Sequence, residues 1–181
     1  AIIFTDISGF TKLSEGMKPK DVLDLLSEYQ TKMVAAIFHN GGTVDKFIGD
    51  SVMATFGTPF SKGNDSQNAL NCLRQMQISM REWAQERQEK GLPVVKHRIG
   101  VHFGECFVGN VGSEDRFEYT VIGDTVNVAS RICSACKEFD TNFLISSELK
   151  ENINFTLHSE YISNYRIRGR EKTIGLYKIW L

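Results

Sequence analysis

The sequence has no long apolar run and no excess of charge of either sign. No stretch approaches the roughly 20 apolar residues that a membrane-spanning helix needs, and 21 basic residues are balanced by 22 acidic ones. This balance gives no broad field that would attract nucleic acid or an anionic membrane surface. We therefore predict a cytoplasmic globular domain that makes no nucleic-acid or membrane contact through this segment.

Proline is also scarce, and the cysteines number four. The three prolines form no linker, so we predict one domain over residues 1–181, cut near its first strand from a longer protein. Cys133 and Cys136 have CxxC spacing, but no second pair and no histidine cluster completes a zinc site. Because they fall in a helical pattern, two reduced cysteines on one helix face are the simpler interpretation. A redox or metal role is the alternative.

The apolar spacing predicts long helices that alternate with strand pairs. The helical patterns run from Pro19 to about Asn40, from Asn64 or Asp65 to Gly91, from Gly123 to Lys137, and over residues 146–152. The strand-like runs are residues 43–47 with 51–56, residues 94–103 with 106–111, residues 143–145, and a pair at the end of the chain. This order favours an α+β layer sandwich, in which helices cover a mostly antiparallel sheet.

Two aspartates stand at the ends of strand-like runs, each close to a glycine. Asp6 ends the first run just before Gly9, and Asp50 follows Gly49 in the turn of the first hairpin. Glycine lets the backbone come close to a ligand, and carboxylates are oxygen ligands that divalent cations prefer. The pair therefore predicts a divalent-metal site for a polyphosphate substrate, and an enzyme.

Four segments in order resemble the catalytic domain of class III nucleotidyl cyclases, and in particular the bacterial class IIIb adenylate cyclases. They are FTDISGFT at residues 4–11, VDKFIGD at residues 44–50, RIGVHFG at residues 98–104 and YTVIGDTVNVASR at residues 119–131. The resemblance implies a ferredoxin-like core with extra elements. It also implies that a nucleoside triphosphate is converted into a 3′,5′-cyclic monophosphate and pyrophosphate.

The resemblance assigns the metal and phosphate contacts. Asp6 and Asp50 match the aspartates that hold two divalent cations, Mg²⁺ or Mn²⁺, and the carbonyl of Ile7 would complete the shell of one ion. Phe10 and Thr11 open a helix whose free N–H groups suit the terminal phosphates.

Lys46 and Thr120 fall on the two positions that select the purine. A lysine donates and a threonine hydroxyl can accept, which complements N1 and the N6 amino group of adenine. The pair resembles class IIIb, whose members include enzymes stimulated by bicarbonate or CO2. ATP is therefore the expected substrate, and bicarbonate a possible regulator.

Asn127 and Arg131 lie four residues apart, so they share one helix face. The resemblance implies that the asparagine orients the ribose and that the arginine neutralises charge on the α-phosphate. Two further cations are candidates for triphosphate contacts, namely Arg98 and Arg168, with Arg170 as the second choice in the latter cluster.

The resemblance further implies a homodimer with shared active sites. One protomer would supply the metal aspartates, and the other would supply the purine-reading residues with Asn127 and Arg131. The alternatives are a guanylate cyclase, a catalytically silent dimerisation module, and another two-metal nucleotidyl transferase such as a polymerase palm or a diguanylate cyclase.

Overall fold

A computed structural model describes residues 1–167 and 170–181. The strands are β1 (Ile2–Ile7), β2 (Thr43–Ile48), β3 (Ser51–Thr55), β4 (His97–His102), β5 (Phe107–Ser113), β6 (Arg116–Ile122), β7 (Phe143–Ser146), β8 (Ser159–Tyr165) and β9 (Ile174–Ile179). The helices are α1 (Phe10–Ser14), α2 (Pro19–His39), α3 (Asp65–Glu89), α4 (Asp124–Ala135) and α5 (Ser147–Glu151). The helical spacing in the sequence thus predicted α2 to α5 to within about two residues at each end.

The main sheet contains a ferredoxin-like core. Its seven strands run in the order β2-β3-β1-β4-β7-β9-β8, so the first four strands and the helices α2 and α3 form a βαββαβ unit. All neighbouring strands pair antiparallel except β4 and β7, which are parallel. The predicted α+β fold with a mostly antiparallel sheet is confirmed.

Helices cover both faces of this sheet. Alternate residues of β1 point to opposite faces, as the period of a strand requires. Ile3 and Ile7 pack into the large core with α2 and α3, whereas Ile2 and Phe4 pack with Ala129 of α4 on the other face. β1 is therefore an interior strand held between two hydrophobic layers, and the position of its carboxyl end is fixed.

The ribbon of β5 and β6 corrects one sequence prediction. The strand of residues 94–103 was expected to pair with residues 106–111, but β4 pairs with β1 and β7 instead. β5 pairs with β6 in a separate two-stranded sheet. The alternation of Phe117, Tyr119 and Val121 was the local signal for β6 that the sequence analysis did not use.

No helix among the described residues is both long and apolar enough to cross a bilayer.

Candidate active site

A cleft of about 670 Å³ lies where β1 ends and β4 begins. Its walls come from the loop between β1 and α1, the turn between β2 and β3, the start of β4, and the connection from α4 to β7. Six residues predicted from the sequence line it together, namely Asp6, Ile7, Phe10, Thr11, Asp50 and Arg98. The helix α1 is only five residues long, so its dipole is small, and its first N–H groups are the feature that a phosphate would contact.

The turn between β2 and β3 brings Asp50 to the end of β1. Gly49 has a φ of 62°, which glycine adopts without strain. Oδ2 of Asp50 accepts a hydrogen bond of 2.9 Å from the backbone N–H of Ile7. This bond joins the two acidic segments directly, although the residues are 43 positions apart in sequence.

Asp6 is held on its other side by β4. Nε of Arg98 donates to Oδ1 of Asp6 at 3.1 Å, and both side chains are largely buried. Burial raises the pKa of Asp6, the guanidinium of Arg98 opposes that rise, and the charge of Asp50 adds to it. Asp6 and Asp50 thus place two carboxylates beside the single guanidinium of Arg98.

The donor set fits a divalent cation that also binds a phosphate. Among residues 1–167 and 170–181, no group of three or more histidine, cysteine or acidic side chains is placed to hold a metal ion. Mg²⁺ is usually bound by one or two carboxylates, with substrate phosphates and water completing its shell. Asp6 and Asp50 supply such a pair of carboxylates, facing one cleft.

Lys46 and Thr120 meet at a second place, outside the lining of this cleft. Oγ1 of Thr120 donates to Oδ2 of Asp45 at 2.7 Å, and Nζ of Lys46 lies 3.6 Å from the same oxygen. Lys46 also donates to Glu118 at 2.8 Å, and this hydrogen bond raises the pKa of the lysine. The two predicted purine-reading residues are thus neighbours, linked by a carboxylate that the sequence analysis did not single out.

Asn127 and Arg131 lie on the exposed side of α4. The opposite side of this helix, with Val128 and Ile132, is buried. Neither polar side chain lines the cleft of Asp6 and Asp50. Within one chain, the candidate site residues that the structure describes therefore lie in separate places. Asp6 and Asp50 line the cleft, whereas Lys46 with Thr120 and Asn127 with Arg131 do not.

Arg168 lies outside the described residues. Its neighbour Arg170, the second choice for a phosphate contact, pairs with Asp124 in the first turn of α4, with Nε 3.0 Å from Oδ2. The charge of Arg170 is therefore already matched within the chain.

Residues 1–179 match the family model described as the adenylate and guanylate cyclase catalytic domain. The chain belongs to this family. The predicted resemblance to class III nucleotidyl cyclases is confirmed, and with it the prediction that the chain is a cyclase catalytic domain.

Relatives of this cyclase domain match nearly all of it. Adenylate cyclase 1 of Rhizobium meliloti is 32% identical over 98% of the chain, and adenylate cyclase of Anabaena cylindrica is 36% identical over 98%. The chain spans only 27% and 36% of the lengths of these two relatives. The matched region is therefore one part of larger proteins.

Solved cyclase structures share the fold. The adenylyl cyclase CyaB from P. aeruginosa has a TM-score of 0.90 at 32% identity, covering 99% of this chain and 92% of that one. The guanylyl cyclase Cya2 has a TM-score of 0.87 at 34% identity, covering 98% of this chain and 89% of that one. One of these proteins is named an adenylyl cyclase and the other a guanylyl cyclase. The comparison therefore shows the family but not which purine nucleotide is the substrate.

Asp45 and Glu118 are the polar residues of this cyclase domain that sequence reasoning missed. A signal for Asp45 was present, since it directly precedes Lys46 in the second family-like segment. Its partner Thr120 is 75 residues away, so only the packing of β2 against β6 reveals the contact.

Proposed function

We propose that this domain is an adenylate cyclase that converts ATP into 3′,5′-cyclic AMP and pyrophosphate at sites shared by two copies of the chain. The observation that carries the proposal is the adjacency of Lys46 and Thr120, which meet at Asp45. Nζ of Lys46 is a donor for N1 of adenine, and the oxygen of Thr120 is an acceptor for the N6 amino group. The adenylate cyclase names of the two relatives agree with this assignment.

In the proposed reaction the 3′-hydroxyl of the ribose attacks the α-phosphate, and pyrophosphate leaves. Asp6 and Asp50, with the carbonyl of Ile7, would hold two divalent cations. Cations held by these residues would lower the pKa of the attacking hydroxyl and neutralise charge on the phosphates. Phe10 and Thr11 line the same cleft, and their N–H groups would receive the terminal phosphates.

The remaining polar residues act on the ribose and on the charge that develops during the attack. Asn127 would orient the ribose, and the guanidinium of Arg131 would neutralise charge on the α-phosphate. Arg98, which holds Asp6 at 3.1 Å, also lines the cleft and is the described candidate for a further phosphate contact. Arg168 stays a prediction of the sequence resemblance.

The division of the site supports a homodimer. The residues that would hold cations line one cleft, whereas Lys46, Thr120, Asn127 and Arg131 do not reach it within the same chain. Six large apolar side chains that are 45% to 66% exposed lie on the β2–β3 hairpin and the β5–β6 ribbon, namely Phe47, Ile48, Phe107, Phe117, Tyr119 and Ile122. An apolar surface of this kind suits burial against a second copy related by a two-fold axis.

The proposal is tested by assaying purified protein with ATP and with GTP, each with Mg²⁺ and with Mn²⁺. We expect cyclic AMP and pyrophosphate in equal amounts, with kcat/KM for ATP well above that for GTP. A clear preference for GTP would instead favour the guanylate cyclase, as the name of Cya2 allows. Adding bicarbonate to the same assay tests the regulation that the class IIIb resemblance predicts.

A further inference from the structure

Asp45 is a buried carboxylate whose two oxygens both face donors of β6. Its side chain is 7% exposed. Oδ2 accepts from the hydroxyl of Thr120 at 2.7 Å, and Oδ1 accepts from the backbone N–H of Val121 at 3.3 Å. Because a carboxylate has no proton to give, the hydroxyl proton of Thr120 is committed to Asp45.

Because its proton is used in this hydrogen bond, Thr120 can only accept a hydrogen bond from a ligand. With its proton turned to Asp45, the hydroxyl oxygen presents only lone pairs on its other side. Such an oxygen complements the N6 amino group of adenine, which donates. It opposes O6 of guanine, which also only accepts, and leaves two acceptors facing each other without a proton.

A local irregularity of β2 makes this contact possible. Neighbouring residues of a regular strand point to opposite faces. The pairing of β2 with β3 shifts between Val44 and Lys46, which marks a β-bulge at Asp45. Through this bulge Asp45 and Lys46, although adjacent in sequence, both contact β6, at Thr120 and Glu118 respectively. Bulges commonly re-aim side chains beside active sites.

We propose that Asp45 is a positioning residue that sets the purine preference of this domain, because it fixes the direction of the Thr120 hydroxyl proton. This inference rests on the proposed function, which locates the purine beside Lys46 and Thr120. It adds a residue that acts through Thr120 and does not itself touch the base.

The decisive variant is Asp45→Asn, which keeps the shape and removes the charge. In this variant the amide oxygen stays opposite the N–H of Val121, so the amide NH2 faces Thr120 and donates to it. The Thr120 proton is then released toward the base, where it matches O6 of guanine. We expect the ratio of kcat/KM for ATP to that for GTP to fall by roughly tenfold or more.

Asp115→Asn is the matched control, because it makes the same substitution at an exposed carboxylate between β5 and β6. The control should keep the wild-type ratio. Asp45→Ala serves as a second variant, since it also frees the Thr120 proton but adds no donor, and it should lower the ratio as well. The proposal is wrong if either Asp45 variant melts as the wild type does and keeps the wild-type ratio.

A double-mutant comparison separates this role from a general structural one. In a Thr120→Val background there is no hydroxyl proton to direct, so adding Asp45→Asn should change the ratio by less than about twofold. An equal fall of the ratio in both backgrounds would show that Asp45 does not act through Thr120.

Equilibrium competition with non-cyclisable ATP and GTP analogues supplies a readout without turnover. If the wild type prefers GTP, the proposed function fails, whereas this inference is still supported when the Asp45 variants shift the binding ratio further toward GTP. If the wild type prefers ATP and either folded Asp45 variant binds the analogues in the wild-type ratio, the proposed function stands and this inference fails.

Discussion

Among individual residues, the pair of Asp6 and Asp50 combines burial with like charge. Asp50 is fixed by the N–H of Ile7, and Asp6 is fixed by Arg98. The raised pKa of Asp6 reflects first its burial, and the nearby charge of Asp50 contributes to it. A bound cation would relieve both effects, so carboxylates in this setting are suited to cation binding more than to stabilising the fold.

We therefore predict that Asp50→Asn abolishes cyclase turnover while leaving the fold intact. The amide oxygen can still accept from the N–H of Ile7, but the negative charge is lost. Turnover should fall by at least about a hundredfold, and the Mg²⁺ dependence should move to higher concentration. Steady-state assays over a Mg²⁺ series measure both effects, with a thermal melt to confirm folding.

Asp140→Asn is the control for Asp50→Asn. Asp140 lines the same cleft in the connection from α4 to β7, and its φ of 44° is one that asparagine tolerates. It should keep wild-type turnover. Equal losses of turnover in the two variants would mean that turnover depends on the total negative charge of the cleft and not on the specific pair of Asp6 and Asp50.

Among the helices and strands, α4 and β4 are in close backbone contact. Gly100 of β4 lies directly under it, and a Cβ at this position would overlap the backbone of Cys133. The absence of a side chain therefore sets how near α4 sits to β4. Because Asn127 and Arg131 are on the outer side of α4, this contact also sets where those residues stand.

We predict that Gly100→Ala lowers the free energy of unfolding by about 1–3 kcal/mol and reduces turnover, since α4 must move away from β4. Urea unfolding and steady-state kinetics on the same preparations measure the two effects. Gly16→Ala is the control, because a Cβ there meets no heavy atom within 4 Å. Gly100→Ala with wild-type stability would show that α4 is not held by this contact.

The same elements show how far the sequence could predict the structure. Periodic apolar residues predicted the helices because that pattern is local, and the four family-like segments indicated the family and hence the candidates Asp6, Asp50 and Lys46. The partner of β4 and the bulge at Asp45 could not be predicted this way. Both depend on which strands meet in space, and the contact of Asp45 with Thr120 joins residues 75 positions apart.

For the domain as a whole, two buried histidines link stability to pH. Burial lowers the pKa of His97 to about 4 and that of His102 to about 4. An unfolded chain binds these protons near pH 6.5, whereas the folded chain resists them until about pH 4. The contribution of both histidines is therefore fully present above pH 6.5 and is lost as the pH falls toward 4.

We predict that the free energy of unfolding falls by several kcal/mol between pH 6.5 and pH 4, because unfolding takes up protons in this range. His97→Gln should reduce the slope of the free energy of unfolding against pH by an amount equal to at most one proton taken up on unfolding. Urea unfolding at half-unit pH steps measures the slope of each protein. The same slope in the variant and the wild type would show that His97 protonates as readily in the folded chain as in the unfolded one.

If the site is divided between two copies of the chain, two inactive variants with defects in different halves should complement each other. Asp50→Asn damages the half that would hold cations, and Arg131→Ala damages the half that would contact the α-phosphate. Each variant alone should have at most about a hundredth of wild-type turnover, since Asp50→Asn removes a cation ligand and the preset charged donor of Arg131 is worth a factor of that size. In a mixed dimer one site carries both defects, and the other site carries neither.

Mixing equal amounts of the two variants should therefore restore activity that neither has alone. If the chains exchange at random, half of the dimers are mixed and each has one intact site, so about a quarter of the wild-type turnover returns. Adding inactive Asp50→Asn/Arg131→Ala chains in place of one partner is the control, because no intact site can form. Light scattering confirms that the variants dimerise, and a mixture of dimers without recovered turnover would show that each chain builds its own site.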